Sequence, residues 1–254
     1  MSAFISEKYL AGFLDADGCI KLRLSSGKVA MAIVFSQRKD RAKVLHLIQE
    51  TYGGRISNAI VSDREYTYLA LDTKESPLVL SRIVKHLVVK RHYAAVALDA
   101  IGKPMEFEEF KAFRKEQRRI KSLPIPKHPT RKWLAGYFDG DGCLSGSLLR
   151  NGTARVRAHI GAWEFDQEGI ELIHKAFGGQ YRKQGQNFQW YCDMDASKAI
   201  QILEFFGPHS IVKRNHVDVV LGHARSKHFR DGGEMVRILK ALNAKPQRLS
   251  ESTL

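Results

Sequence analysis

A chain of 254 residues that is 44% apolar has enough hydrophobic surface for one large core or two of ordinary size, and reads as globular. Basic residues are in excess in both parts, with 22 Lys and Arg against 14 Asp and Glu through Lys121 (net +8) and 19 against 13 beyond it (net +6); this suits a polyanion partner, although a well-solvated basic surface has the same composition. No apolar run approaches the ~20 residues of a membrane span, the start MSAFISEKYL lacks the basic-then-apolar order of a signal peptide, and Cys19, Cys143 and Cys192 have no C-x-x-C pairing that would make a disulfide framework or structural zinc site. The expectation is a protein of a reducing compartment with no membrane partner.

In chain order, the segment ending at Asp17 reads as a short helix leading into two strands, near 19–24 and 29–36. A helix follows at 39–51, where Val44, Leu45, Leu47 and Ile48 suit one apolar stripe, and Gly53-Gly54 ends it. Strands near 55–61 and 66–72 are joined by a turn at SDRE, then come a helix from about Lys74, another around 90–101 and a charged helix near 105–121. The stretch SLPIPKHP has three prolines in six residues and cannot continue a helix. It divides the chain into an N-terminal half 1–121, a linker 122–130 and a C-terminal half 131–254. The second half reads as strands near 143–149 and 154–161, a helix from Phe165, strands through Tyr181 and Trp190, helices after Ala196 and Lys213, and a frayed tail from Lys245.

The halves repeat one another. YLAGFLDADGCI from Tyr9 answers WLAGYFDGDGCL from Trp133, IQETYGG from Ile48 answers IHKAFGG from Ile173, and LVVKRH from Leu87 answers SIVKRN from Ser210. Offsets of 123 to 125 persist across the repeat, the mark of a duplication. The predicted fold class is α+β, two pseudo-symmetric αββαββα halves.

Gly12 and Ala16 in one motif, and Gly136 and Gly140 in the other, give each motif helix a stripe of small residues that permits close helix approach. If the two helices pack side by side, Asp17 and Asp141 come together at their C-terminal ends. Carboxylates are unfavourable there, because a helix C-terminus already carries partial negative charge and unsatisfied carbonyls, so something cationic is expected to compensate. All the available ligands are oxygens, which favours Mg2+ over zinc. An EF-hand is excluded, since Cys19 stands where a third oxygen ligand belongs. For a single copy, the simpler reading of D-x-D-G is a capping turn with Gly18 or Gly142 left-handed; two matched copies favour a site. Asp15 and Asp139 point elsewhere around their helices and are read as structural.

These motifs closely resemble those of the LAGLIDADG homing endonucleases in their single-chain, two-repeat form, and the resemblance covers most of the chain. It implies paired motif helices at the interface of the two halves, antiparallel saddle-shaped sheets laid into the DNA major groove, and a monomer that breaks both strands across the minor groove to leave short 3′ overhangs. Carried onto this sequence, it assigns the metal ligands Asp17 and Asp141, with the carbonyls of Ala16 and Gly140 as further ligands. It also implies Gln37 and Arg41 as organisers of active-site water, and Lys90 and Lys213 as basic groups near the scissile phosphate. Ala162 and Asp166 replace the Gln and Arg in the second half, which implies an asymmetric site with unequal strand rates.

Strand alternation supplies a reading surface. KLRLS puts Lys21, Arg23 and Ser25 on one face, and ARVRAHI does the same with Arg155, Arg157 and His159. Arg55, Ser57, Arg64, Arg182, Gln184 and Gln189 are further candidates for DNA contact, whereas Tyr66, Tyr68, Trp190 and Tyr191 have no side assigned by parity. The unlike halves imply a long, non-palindromic target. Two other functions share these features: an RNA maturase, for which intron RNA is the partner, and an intein endonuclease, disfavoured because the motif begins almost at once and leaves no room for splicing blocks.

Overall fold

Ser6 starts the first helix. Its hydroxyl accepts from the Tyr9 amide at 3.4 Å, satisfying one of the donors that a helix N-terminus leaves unpaired, and α1 runs over Glu7–Asp17. Thr130 repeats the device for Trp133 at 3.2 Å, starting the helix Arg131–Asp141. The computed structural model describes residues 4–117, 128–151, 154–163, 167–185, 187–192, 196–225 and 232–244. Asp166, Phe165 and most of the Pro-rich linker lie outside the described residues, as does the tail from Lys245. The chain divides into two compact units, Met1–Ile125 and Pro126–Leu254.

In the first unit, α1 is followed by β1 (Gly18–Ser25) and β2 (Lys28–Arg38), α2 (Lys43–Tyr52), β3 (Arg55–Val61) and β4 (Arg64–Leu71), then α3 (Glu75–Ile83), α4 (Arg91–Ala100) and α5 (Phe107–Gln117). The sheet is antiparallel throughout, in the order β1-β2-β4-β3. Both hairpins turn on two residues with positive φ, Ser26 and Gly27 in one and Ser62 and Asp63 in the other, a twist that matches that of the flanking strands. One face of the sheet carries Ile33, Phe35, Leu69 and Leu71, all fully buried with Leu10, Phe13 and Leu14 of α1 and Val44, Leu45 and Ile48 of α2. Phe13 stacks on Phe35 with ring centroids 5.7 Å apart, which seats α1 directly on β2.

The second unit repeats the plan with α6 (Arg131–Asp141), β5 (Gly142–Leu148), β6 (Ala154–Trp163), α7 (Gln167–Phe177), β7 (Gln180–Gln184), β8 (Asn187–Cys192), α8 (Ala196–Phe206) and α9 (Arg214–Arg225), its sheet ordered β5-β6-β8-β7. Helix α10 (Gly233–Asn243) is an addition that the sequence reading missed, although Met235, Val236 and Leu239 have helical spacing and are buried. It lies against β5, where Asn243 Nδ2 donates to the Leu144 carbonyl at 2.6 Å. The helix expected at 39–51 begins instead as a 3₁₀ turn, Lys39–Arg41, because β2 runs on to Arg38 and carries Gln37 into the sheet.

The motif glycines do not adopt the left-handed conformation that a capping turn would give. Gly18 (φ −87°, ψ 155°) and Gly142 (φ −77°, ψ 157°) are extended and open their strands. Glycine is needed there for room: a Cβ on Gly18 would stand 2.8 Å from Leu14 Cα, and one on Gly142 would stand 2.5 Å from the Phe138 carbonyl oxygen. Only glycine lets the chain leave the helix and enter the sheet within one residue of the aspartate. Gly142→Ala is therefore expected to lower stability by about 1–3 kcal/mol, seen as a reduced urea midpoint. Gly161→Ala, whose nearest neighbour would be Gln189 Cγ at 3.9 Å, should stay within about 0.5 kcal/mol of the parent.

Candidate active site and nucleic-acid interface

The last turn of α1 is built by an exchange of hydrogen bonds with the start of α4. Asp15, 2% exposed, accepts from the Val88 amide at 2.7 Å and the Lys90 amide at 2.8 Å. Lys90 returns the contact, its ammonium donating to the carbonyls of Leu14 (2.9 Å), Asp15 (2.5 Å) and Ala16 (3.3 Å). A carboxylate thus lies at the positive end of α4 and an ammonium at the negative end of α1, each favoured by the dipole it meets. The second unit makes the same exchange more fully. Asp139, 1% exposed, accepts from the Ser210 hydroxyl (2.5 Å) and the amides of Ile211 (2.6 Å), Val212 (3.0 Å) and Lys213 (3.1 Å). Lys213 donates to the carbonyls of Phe138 (2.8 Å), Asp139 (2.5 Å) and Gly140 (3.3 Å).

This gives the first aspartate of each motif the structural role read from its place on the helix. It also supplies, from within each unit, a cation that the helix end was expected to require. Lys90 and Lys213 direct their ammonium groups at the helix end, so their charge sits one residue from Asp17 and Asp141. The serine at 210, where the first unit has Leu87, is a further support that the sequence comparison passed over.

Asp17 and Asp141 end their helices half-buried. Gln37 reaches Asp17 from the sheet, with Nε2 donating to Oδ2 in a short contact. Gln37 is paired in register with Thr67, and Thr67 with Asn58, whose side-chain oxygen accepts from the Thr67 hydroxyl at 2.8 Å. Gln37 thus continues a polar row, with Thr67 and Asn58, across three strands of the sheet. Gly18 pairs with Phe35 and Gly142 with Ile160, so the position equivalent to Gln37 is Ala162. Ala162 is buried and has no side-chain donor, and the unlike environments of the two aspartates are built into the sheets. Arg41 ends the 3₁₀ turn after β2.

Among the described residues no group of three or more His, Cys, Asp or Glu is arranged to hold a metal ion. Each unit offers one terminal carboxylate and the Ala16 or Gly140 carbonyl, an all-oxygen, ligand-poor set. That set fits a hard divalent cation that retains much of its water, and does not fit zinc.

The opposite face of each sheet is open and polar. Register places Lys21, Arg23 and Ser25 of β1 on the face that also carries Lys28, Ser36 and Arg38 of β2, Arg64, Tyr66 and Tyr68 of β4, and Arg55 and Ser57 of β3. The parity of the two tyrosines, undecided in sequence, is fixed by their pairing with Arg38 and Ser36. In the second unit Arg155, Arg157 and His159 of β6 share a face with Arg182 and Gln184 of β7 and Gln189 of β8. The side chains of Trp190 and Tyr191 lie outside the described residues. Comparing registers, Lys21 and Arg23 correspond to Ser145 and Ser147, whereas Ala32 and Ala30 correspond to Arg157 and Arg155. The basic residues thus move from the outer strand of one sheet to the next strand of the other. Burial, then the charges of Arg157 and Lys213, hold His159 below the usual imidazole value, so its ring is neutral at pH 7 and can both donate and accept.

Two αββαββα units, each ending its first helix in a half-buried aspartate and each with a basic, polar sheet face, define a two-repeat α+β protein. Residues 10–91 match the family model described as LAGLIDADG endonuclease. The probable intron-encoded endonuclease Cox1-I1b of Schizosaccharomyces pombe is 23% identical over 173 residues, covering 61% of this chain and 44% of that protein, so the chain spans less than half the length of this relative. The LAGLIDADG meganuclease I-AabMI, in a crystal structure bound to uncleaved DNA, has a TM-score of 0.65 at 14% identity, over 96% of this chain and 100% of that one. I-SmaMI, bound to an uncleaved DNA target in the presence of calcium ions, has a TM-score of 0.62 at 18% identity, over 95% and 99% of the respective chains. Residues 10–91 are thus similar to the LAGLIDADG endonuclease family, the motif occurs a second time from Trp133, and the fold of the chain is that of the two-repeat meganucleases.

The two aspartates of a motif should separate by stability. Asp139→Asn disturbs four donors in a buried setting and is expected to cost about 1–3 kcal/mol or more in urea denaturation, whereas Asp141→Asn should change the midpoint little. A second measurement concerns pH. Because the folded state disfavours protonated His159, stability attributable to this group is intact above the unfolded imidazole value of about 6.5 and declines as pH falls below it. His159→Gln should therefore flatten the loss of stability between neutral pH and about pH 5.

Proposed function

We propose that this protein is a sequence-specific DNA endonuclease that makes a double-strand break with short 3′ overhangs in a long, non-palindromic site, using Mg2+ as its divalent cation. The observation that carries this reading is the division of labour within each motif. Its first aspartate is buried and committed to four or two hydrogen-bond donors, while its second stands half-buried at the helix end. A twice-repeated carboxylate at a lysine-stabilised helix terminus supports one cleavage centre for each strand. Asp17 and Asp141, with the carbonyls of Ala16 and Gly140, would hold the metal. When bound, the cation supplies an activated water and positive charge for phosphodiester hydrolysis.

Around that centre the chain's own residues position and polarise. Gln37 fixes the rotamer of Asp17, and Arg41 adds positive charge to the same end of the sheet. Lys90 and Lys213 hold the last helical turn in place and contribute a positive potential where a phosphate would approach. The open sheet faces are read as the DNA-contacting surface, with Lys21, Arg23, Ser25, Arg55, Ser57 and Arg64 in one unit and Arg155, Arg157, His159, Arg182, Gln184 and Gln189 in the other. The shift of basic residues between strands supports a target whose two halves differ. Since Ala162 replaces the glutamine, the two strands are expected to be cut at unequal rates.

Selection of cleaved sites from a randomised DNA library with Mg2+ tests the activity directly. On a selected site, Asp17→Asn and Asp141→Asn are each expected to abolish double-strand cleavage while DNA binding by gel shift persists; full cleavage by either variant refutes the ligand assignment. Gln37→Ala should slow cleavage on the order of 10- to 100-fold, with the loss concentrated on one strand when the strands are labelled separately.

A further inference from the structure

One side chain on the open face of the first sheet is pre-shaped for a particular base. Arg38 is the last residue of β2, paired in register with Tyr66 and opposite in parity to the inward Gln37. The 3₁₀ turn that follows brings Asp40 back alongside it. Arg38 Nε donates to Asp40 Oδ1 at 2.9 Å and Arg38 Nη2 to Asp40 Oδ2 at 2.5 Å, a two-point contact along one side of the guanidinium. A guanidinium has five N–H donors in a rigid plane, so this contact leaves the end-on fork, both hydrogens of Nη1 and the second of Nη2. Among the described residues no hydrogen bond engages that fork.

The Arg38 side chain is 18% exposed and that of Asp40 44% exposed, so the two-point contact holds the partly covered guanidinium in one plane. A carboxylate is unwelcome on a face that meets phosphates. Its presence is explained if it orients the arginine. The Arg38 hydrogen bond holds the Asp40 carboxyl below the usual carboxylate range, so the carboxylate remains charged in the role. A planar fork with two parallel donors matches the O6 and N7 acceptors of guanine in the major groove, whereas a phosphate contact would need no such fixed plane.

We infer that Arg38, held side-on by Asp40, is a specificity-determining residue that reads one guanine of the target through its end-on fork. The inference rests on the endonuclease reading above. It applies to one half of the target only, because the register places Trp163 at the equivalent position of the second unit.

The test compares cleaved-site profiles from the randomised library for the parent chain, Arg38→Lys and Asp40→Asn, with melting curves to confirm folding and the salt dependence of binding measured on one selected site. In the parent profile one position should prefer G·C on the order of 10- to 100-fold. Arg38→Lys keeps the charge and should remove that preference alone, leaving the other positions and the salt slope as they were. Asp40→Asn should weaken the preference at the same position. Three results overturn the inference: a profile for Arg38→Lys unchanged from the parent, a uniform loss of binding to all sites with a shallower salt slope, or an Asp40→Asn profile identical to the parent. A parent chain that enriches no site at all overturns the endonuclease reading itself, and this inference with it. A parent that enriches sites without a guanine affected by Arg38 overturns the inference alone.

Discussion

The reciprocal contact between the buried aspartate and the lysine is what the rest of each unit is arranged around. Asp15 takes amide donors from the entrance of α4, and Lys90, at that entrance, gives its ammonium to the carbonyls at the exit of α1. Each group would be costly alone: a carboxylate buried without donors, or three helix-end carbonyls without a cation. Together they satisfy one another, and hydrogen bonds to charged groups of this kind contribute about 1.5–3 kcal/mol each. Because the contact fixes the final helical turn, it also fixes where the next aspartate stands. In this way a stability element sets the geometry of the candidate site.

The two units share this contact and differ around it. Asp139 gains a hydroxyl from Ser210 that Asp15 does not have from Leu87, so the second lock has more donors. The first unit instead gives Asp17 an amide from Gln37, which lies in register with Thr67 and Asn58, where the second has buried Ala162. On the open faces, charge has moved from β1 in one unit to β6 in the other. The duplicated parts are therefore those that build the helix end, and the diverged parts are those that would tune chemistry and recognition.

Much of this is legible in the chain itself. The motif copies, the paired Gly-Gly helix stops and the alternation in KLRLS and ARVRAHI located the helices, the strands and the polar sheet faces, because local periodicity decides those features. Several things were not legible. The φ of Gly18 and Gly142 depends on how close Leu14 and Phe138 lie, and a capping motif alone suggests the wrong conformation. The continuation of β2 through Arg38 depends on its pairing with β4, which pulls Gln37 inward and turns Arg38 and Tyr66 outward. Helix α10 had readable spacing in Met235, Val236 and Leu239, yet its reason to exist is the flank of β5 that it covers.

Two copies of one α+β plan, a helix ending in aspartate in each, and the division into repeated and diverged residues can all be read along the chain. These follow from order and spacing, which the chain carries explicitly. Which partner each charged group meets depends on three-dimensional packing: Lys90 and Lys213 serve the helix ends, Gln37 donates to Asp17, and Asp40 grips Arg38. Such pairings join residues far apart in the chain, or turn on the parity of one strand residue. They are settled by the packing of helix on sheet, to which no local pattern gives access.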